Sequence, residues 1–188
     1  MRLLPRAIAA VLVTVVLAPP ASSPAKSTAA RGFVGTVRGT HAFVGVAVSG
    51  SHVTAYVCDS KRIAQWFTGS LHAATVTLTS KAGYVLHLAV GHQQVTGTLR
   101  LPGKAGTIHR LVTAGATRPA GLYRGVTTVA GRRYLGGWIV LPNGRQRGEV
   151  ISGATDVASP ALDPNNPTVQ IKRGKKKPLI VIIAILIG

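Results

Sequence analysis

The stretch GLYRGVTTVAGRRYLGGWIVLPNGRQRGEV, residues 121–150, decides the fold class of this chain. It is interrupted at Ala130-Gly131 and at Asn143-Gly144, and an Asn-Gly pair between apolar runs is among the strongest signals for a β-hairpin turn. The segments between these turns are rich in Val, Thr and aromatic residues, which favour strands. The stretch therefore predicts three antiparallel strands joined by two hairpins.

The middle strand of the three has two distinct faces, because successive side chains of a strand point to opposite sides of the sheet. One face is predicted to carry Arg132, Tyr134, Gly136, Trp138 and Val140. The other is predicted to carry Leu135, Ile139 and Leu141. Arg145 and Arg147 continue the positive charge on the last strand, opposite the middle one.

The same alternation runs through residues 33–151. In LHAATVTLTS, residues 71–80, small or apolar residues alternate with threonines, and Gly-, Ser- and Pro-containing breaks separate such segments. No long segment has the helical period of 3.6 residues. The pattern predicts an all-β domain with a meander of about nine or ten antiparallel strands, closed as a barrel or folded as a sandwich. Closure is favoured because an open meander leaves two unpaired edges.

The chain begins with the layout of a secretory signal peptide. Two arginines precede an apolar run over residues 7–18, and a Ser-Pro-Ala sequence before Lys26 supplies the small residues of a cleavage site. We therefore expect residues 1–25 to be removed on export and residues 26–32 to form a flexible N-terminus. The mature protein is expected outside the cytoplasm, secreted or associated with the cell surface.

The C-terminal region differs in composition from residues 33–151, which we call the body of the chain. Residues 152–171 are rich in Pro, Asn, Ser and Ala, which predicts a disordered linker. Residues 172–188, KRGKKKPLIVIIAILIG, form a basic and then apolar tail, too short for a spanning helix of about 20 residues. We expect a peripheral tether to anionic headgroups through Lys172, Arg173, Lys175, Lys176 and Lys177. Two alternatives are a truncated transmembrane segment and an artefact of the reading frame.

The charge of the chain is strongly unbalanced, with 22 Lys and Arg against 4 Asp and Glu. A field of this sign favours anionic partners such as phospholipid headgroups or wall polyanions, and extracellular nucleic acid less so. Basic and aromatic residues that occur together form the candidate binding surface: Lys61, Arg62, Trp66, Arg132, Arg133, Tyr134, Trp138, Arg145 and Arg147. The alternatives are a basic surface without a ligand and tryptophans that belong to the core.

The sequence contains no pattern that predicts catalysis or a cofactor. There is no G-x-S-x-G elbow, and no glycine-rich phosphate loop opens a helix. Asp59 and Glu149, the two acids of the body, could act as a pair only if the sheet closes on itself. Cys58 is the single cysteine, so we expect a buried, inert thiol, and the six histidines lack metal-ligand spacing. We predict that the protein is not an enzyme and has no cofactor or metal.

Three motifs carry a resemblance to a group of proteins. YVCD (56–59), WFTG (66–69) and GGWIVLPNGRQRG (136–148), in this order, resemble uncharacterised exported proteins of actinobacteria. The resemblance covers roughly residues 33–150. It implies a small β-domain behind a signal peptide, and it implies no activity.

These observations predict an exported, non-catalytic β-domain that interacts with an anionic component of the cell envelope or with an envelope protein. Two alternatives remain open. The first is a β-barrel carrier that holds one small ligand in its mouth. The second is an envelope enzyme with an unrecognised catalytic pattern.

Overall fold

The computed structural model describes residues 30–103, 106–153, 155–172 and 179–187, which form two antiparallel sheets. The first sheet consists of β1 (Arg31–Val37), β2 (Phe43–Ser49), β3 (His52–Cys58), β4 (Ala64–Ser70), β5 (Thr75–Thr79), β6 (Val85–Val90), β7 (Val95–Arg100) and β8 (Ile108–Gly115). The second consists of β9 (Gly121–Val129), β10 (Arg132–Val140), β11 (Gln146–Ser152), β12 (Thr155–Ala158), β13 (Thr168–Ile171) and β14 (Ile180–Ile187). The predicted all-β class is confirmed.

The first sheet curls into a nearly closed barrel. Its strand order is β4-β3-β2-β1-β8-β7-β6-β5, so two four-stranded meanders join where β1 pairs with β8. The edge strands β4 and β5 come together, because a Cβ atom on Gly69 would lie 2.5 Å from Cδ2 of Leu78. The two edges that an open meander would expose therefore face each other.

Apolar side chains fill the interior of this barrel. Along β5, Val76 and Leu78 are buried and the three threonines are exposed, as the alternation in the sequence predicts. The largest buried side chains of the interior are Phe33, Phe67, Leu86, Leu99 and Leu111. Burying one such side chain stabilises the fold by about 1.5–3 kcal/mol, so this core is the main source of stability in the barrel.

The second sheet contains both predicted hairpins, and its strand order is β12-β11-β10-β9-β14-β13. Ala130 and Gly131, which join β9 to β10, both have positive φ, at 49° and 72°. Five residues, 141–145, connect β10 to β11, and the Leu141 N–H donates to the carbonyl of Arg145 at 2.9 Å. Within this connection Gly144, with φ 77°, donates its N–H to the carbonyl of Leu141 at 2.9 Å. Glycine adopts this left-handed conformation without strain, which explains its position in the turn.

The two predicted faces of β10 are confirmed, and each packs against a different core. Ile139 and Leu141 lie in the layer between the second sheet and the outside of the barrel, together with Val34, Phe43 and Leu122. Tyr134, Trp138 and Val140 lie in a separate core on the far side of the second sheet. The layer between the sheets is thin at Gly137, where a Cβ atom would lie 2.7 Å from the rings of Tyr56 and Trp66.

The prediction of a disordered linker and a detached apolar run is wrong where the structure describes these residues, and the membrane tether stays a prediction. Residues 155–158 and 168–171 are the strands β12 and β13. The apolar run is β14, which pairs with β13 over its first half and with β9 over its second half. Its alternate residues Ile180, Ile182 and Ala184 are buried in the core of the second sheet. The run is therefore part of the folded domain, because its alternate side chains pack in the same core as Tyr134 and Trp138.

The boundaries of the body are also corrected slightly. β1 begins at Arg31, within the predicted flexible N-terminus, and sequence patterns commonly misplace strand ends by a residue or two. Lys172 is exposed at the end of β13. The other predicted tether residues (Arg173, Lys175, Lys176 and Lys177) and the predicted signal peptide lie outside the described residues.

Candidate anion-binding surface

The turn between β3 and β4 presents two of the predicted basic residues. Asp59 Oδ1 accepts hydrogen bonds of 2.8, 2.8 and 2.9 Å from the backbone N–H groups of Lys61, Arg62 and Ile63. Burial raises the pKa of the Asp59 carboxyl, but these donors outweigh it, so the pKa lies below its ordinary value. The carboxylate therefore pairs with the backbone of its own turn and not with a cationic side chain. The side chains of Lys61 and Arg62 are exposed.

Replacing Asp59 with alanine is expected to lower the free energy of unfolding by about 1–2 kcal/mol at neutral pH, because the turn loses hydrogen bonds to a charged acceptor. A depressed pKa means that this stabilisation is present above the ordinary value of 3.8 and is lost as the pH falls through the folded-state pKa. Urea unfolding at pH 7 and at pH 3 measures both effects. Asp163→Ala is the control, since the carboxylate of Asp163 accepts one backbone hydrogen bond, from the N–H of Asn165 at 2.9 Å. Equal losses for the two variants would contradict the role of Asp59.

Two further predicted residues extend from the β10–β11 turn across the surface of the barrel. The guanidinium groups of Arg145 and Arg147 lie 5.4 and 5.0 Å from the centroid of the Phe43 ring, within the range of a cation–π contact. Arg147 Nε also donates to the carbonyl of His41 at 3.4 Å. The aromatic ring and the carbonyl hold these two cations close together beside the β1–β2 turn.

The β3–β4 turn reaches the same place, because Ser60 Oγ accepts a hydrogen bond of 3.1 Å from the N–H of Gly148 in β11. Arg38 is exposed in the β1–β2 turn, three residues before His41. We name the cations of these three turns and of the start of β11 the basic end: Arg38, Lys61, Arg62, Arg145 and Arg147. Sequence reasoning missed Arg38, although alternate turns of a meander lie at the same end of a sheet.

The remaining predicted residues do not join the basic end. Arg132 and Arg133 are exposed at the opposite end of β10. Tyr134 and Trp138, expected to stack with a ligand beside them, are 6% and 1% exposed and belong to the core of the second sheet. Trp138 Nε1 donates to Ser159 Oγ at 3.0 Å. The alternative that Trp138 is a core residue is therefore correct.

Trp66 lies in a separate groove between the barrel and the second sheet. Its ring stacks on Tyr56 with centroids 4.4 Å apart, and the guanidinium of Arg124 lies 5.6 Å from its centroid. The groove has a volume of about 520 Å³, and its lining includes His52, Trp66, Arg124, Leu135 and Ile187. Sequence reasoning missed Arg124, because only the folded chain places it beside Trp66.

Cys58 is buried in the layer between the two sheets. Burial raises the pKa of its thiol, and hydrogen bonds to Tyr56 and Ser60 only partly offset this. The thiol is therefore protonated at neutral pH, whereas a nucleophilic cysteine needs a lowered pKa. This environment agrees with the predicted structural role of Cys58.

No group of three or more His, Cys, Asp or Glu side chains within the described ranges is arranged to hold a metal ion. No helix in these ranges has the length and apolarity needed to cross a membrane. Comparison with known protein families, with curated proteins and with solved structures finds no match to this chain. The resemblance to exported actinobacterial proteins stays a prediction.

Proposed function

We propose that this protein is an exported, non-catalytic β-domain that binds an anionic component of the cell envelope through its basic end. The observation that carries the proposal is the meeting of three turns that bring cations distant in the sequence, such as Lys61 and Arg147, to one surface. Two acids lie near these cations: the carboxylate of Asp59 accepts hydrogen bonds from the backbone of its own turn, and Glu149, two residues after Arg147, is buried. The local field is therefore positive, and it attracts anions.

The arginines of the basic end are held in place before any ligand binds. Arg145 and Arg147 rest on one aromatic ring, so little side-chain entropy is lost when their remaining N–H groups pair with an anion. Guanidinium groups match the oxygen geometry of phosphate and carboxylate in a bidentate manner. This geometry favours phosphate-rich or carboxylate-rich envelope polymers and anionic lipid headgroups over neutral glycans.

The filled interior of the barrel supports a role at the surface. A carrier of the kind considered from the sequence would need space among the inward side chains, and these positions are occupied by residues such as Phe33, Phe67 and Leu99. Export rests on the sequence of residues 1–25, which predicts a signal peptide. An anionic envelope component is the class of partner that a strongly cationic exported protein would meet there.

The test is binding of the full chain to two probes, polyphosphate and vesicles that contain phosphatidylglycerol. We expect both to bind at low salt, and we expect the affinity to fall steeply as salt rises, since screening becomes effective beyond about 8 Å at physiological ionic strength. Vesicles of phosphatidylcholine alone are the neutral control. Equal binding to neutral and anionic vesicles, or no binding to either anionic probe at low salt, would contradict the proposal. A preference between the two probes distinguishes polymer from headgroup.

A further inference from the structure

A second surface is distinguished by exposed apolar side chains. The barrel covers only part of the second sheet, and the uncovered part of β9 and β14 exposes a group of large apolar residues. We name this group the apolar stripe: Val126, Val181, Ile183 and Ile185, which are 41%, 37%, 66% and 63% exposed. The stripe requires an explanation, because a contiguous exposed apolar patch usually marks a site of interaction.

The apolar stripe is continuous with the groove beside Trp66. Ile185 is the cross-strand partner of Arg124, and Val126 is the partner of Leu135. Arg124 and Leu135 both line the groove, as does Ile187, which lies two residues beyond Ile185 on the same face of β14. Side chains on one face of paired strands are neighbours, so the stripe and the groove form a single surface.

The positive charge of the groove comes from one side chain. Of the described residues that line the groove, Arg124 is the one permanent cation, and none is acidic. Its guanidinium lies 5.6 Å from the ring of Trp66, which is itself stacked on Tyr56. Arg124 is half-buried, so its charge is less hydrated than that of a fully exposed arginine. A fixed, partly desolvated cation surrounded by apolar side chains is complementary to an anion that carries a hydrocarbon chain.

We propose that the groove and the apolar stripe bind a single-chain anionic amphiphile, a hydrocarbon chain that ends in a carboxylate or a phosphate. The anionic group pairs with Arg124, and the chain lies against Leu135, Ile187 and Ile185. The volume of about 520 Å³ lies within the range of small-molecule sites, which are mainly apolar with a few polar groups that fix orientation. This site is separate from the basic end, and it goes beyond the proposed function.

The chain provides a specific reporter for this test. It has two tryptophans, and Trp138 is buried in the far core, so Trp66 is the one that a ligand in the groove would contact. The full chain is titrated with dodecanoate and with dodecyl phosphate, both below their micelle concentrations, while tryptophan fluorescence is followed. We expect a saturable change for both anions that disappears in Trp66→Phe. A difference in affinity between the two probes distinguishes a carboxylate from a phosphate headgroup.

Arg124→Gln is expected to weaken the binding of both anions by about tenfold or more, because one charge-assisted pairing is lost. The binding of uncharged dodecyl maltoside is expected to change little. Arg132→Gln is the charge-matched control, since Arg132 is exposed, lies on the face of β10 opposite to Leu135 and does not line the groove. A variant with two substitutions at the basic end, Arg145→Gln with Arg147→Gln, is expected to bind the amphiphile normally even where its polyphosphate binding is lost.

Isothermal titration calorimetry of the unsubstituted chain gives the same affinity without relying on a variant that could fold poorly. A binding heat that saturates near one amphiphile molecule per protein supports the site. The proposal is overturned by signals that do not saturate or by equal affinities of the Arg124 and Arg132 variants. It is also overturned by association that occurs only with intact vesicles or only between copies of the protein. The last two outcomes would make the apolar stripe a membrane surface or a dimer interface.

Discussion

Removing residues 179–188 is expected to lower the free energy of unfolding by about 5 kcal/mol or more. β14 lies between β9 and β13 in the second sheet, so its loss breaks two strand pairings. It also removes Ile180 and Ile182, which are 1% and 0% exposed, from the core. Truncating one buried isoleucine to alanine typically costs about 2–5 kcal/mol, and the truncation removes two such side chains together with their backbone bonds.

Urea unfolding followed by the fluorescence of Trp138, which lies in the same core, measures this effect. A pair of single substitutions on β14 provides a matched control. Ile182→Ala is expected to cost about 2–5 kcal/mol, whereas Ile183→Ala, at a residue that is 66% exposed, is expected to cost less than about 0.5 kcal/mol. An unchanged unfolding midpoint after truncation would restore the view of a detached tail.

Replacing Arg145 and Arg147 together with glutamine is expected to weaken polyphosphate binding by roughly 30-fold at low salt. Each cation near an anionic surface contributes on the order of 1 kcal/mol, so two contribute about 2 kcal/mol, and 1.4 kcal/mol corresponds to a factor of ten. Both arginines lie on Phe43 at the surface of the barrel, and glutamine keeps part of their length. The loss of stability should therefore be small compared with the loss of binding.

The matched control is the double substitution of Arg132 and Arg133 with glutamine. It removes the same charge from the same hairpin pair, but at the opposite end of β10, away from the turns that form the basic end. We expect it to weaken binding only slightly. If both double variants lost affinity equally, binding would depend on the net charge of the protein, and the basic end would not be a site.

The local features of the fold could be predicted from the sequence. The alternation of Val76 and Leu78 with threonines identified the buried face of β5, and the turn glycines Gly131 and Gly144 identified two hairpins. Both faces of β10 were predicted correctly, because the period of two residues is a property of every extended chain. These features depend on side chains close in the sequence, so a single stretch contains the information.

The prediction failed at β14 for a definite reason. Every residue of its run is apolar, so no alternation shows which side chains are buried, and such a run resembles a membrane segment. In the folded chain one set, including Ile182, fills the core, while the other set, including Ile183, forms the apolar stripe. The run itself contains no signal that distinguishes these two sets.

The candidate sites also depend on distant parts of the chain. Lys61 and Arg147 were recognised as basic residues, but a hydrogen bond between Ser60 and Gly148 places their turns side by side. Arg124 became visible as a site residue only through its contact with Trp66. The sequence by itself determined strands, turns and the excess of positive charge, because these follow from local propensity and composition. Only the tertiary structure decided which cations meet and which isoleucines are buried, because both depend on pairing between strands that are far apart in the chain.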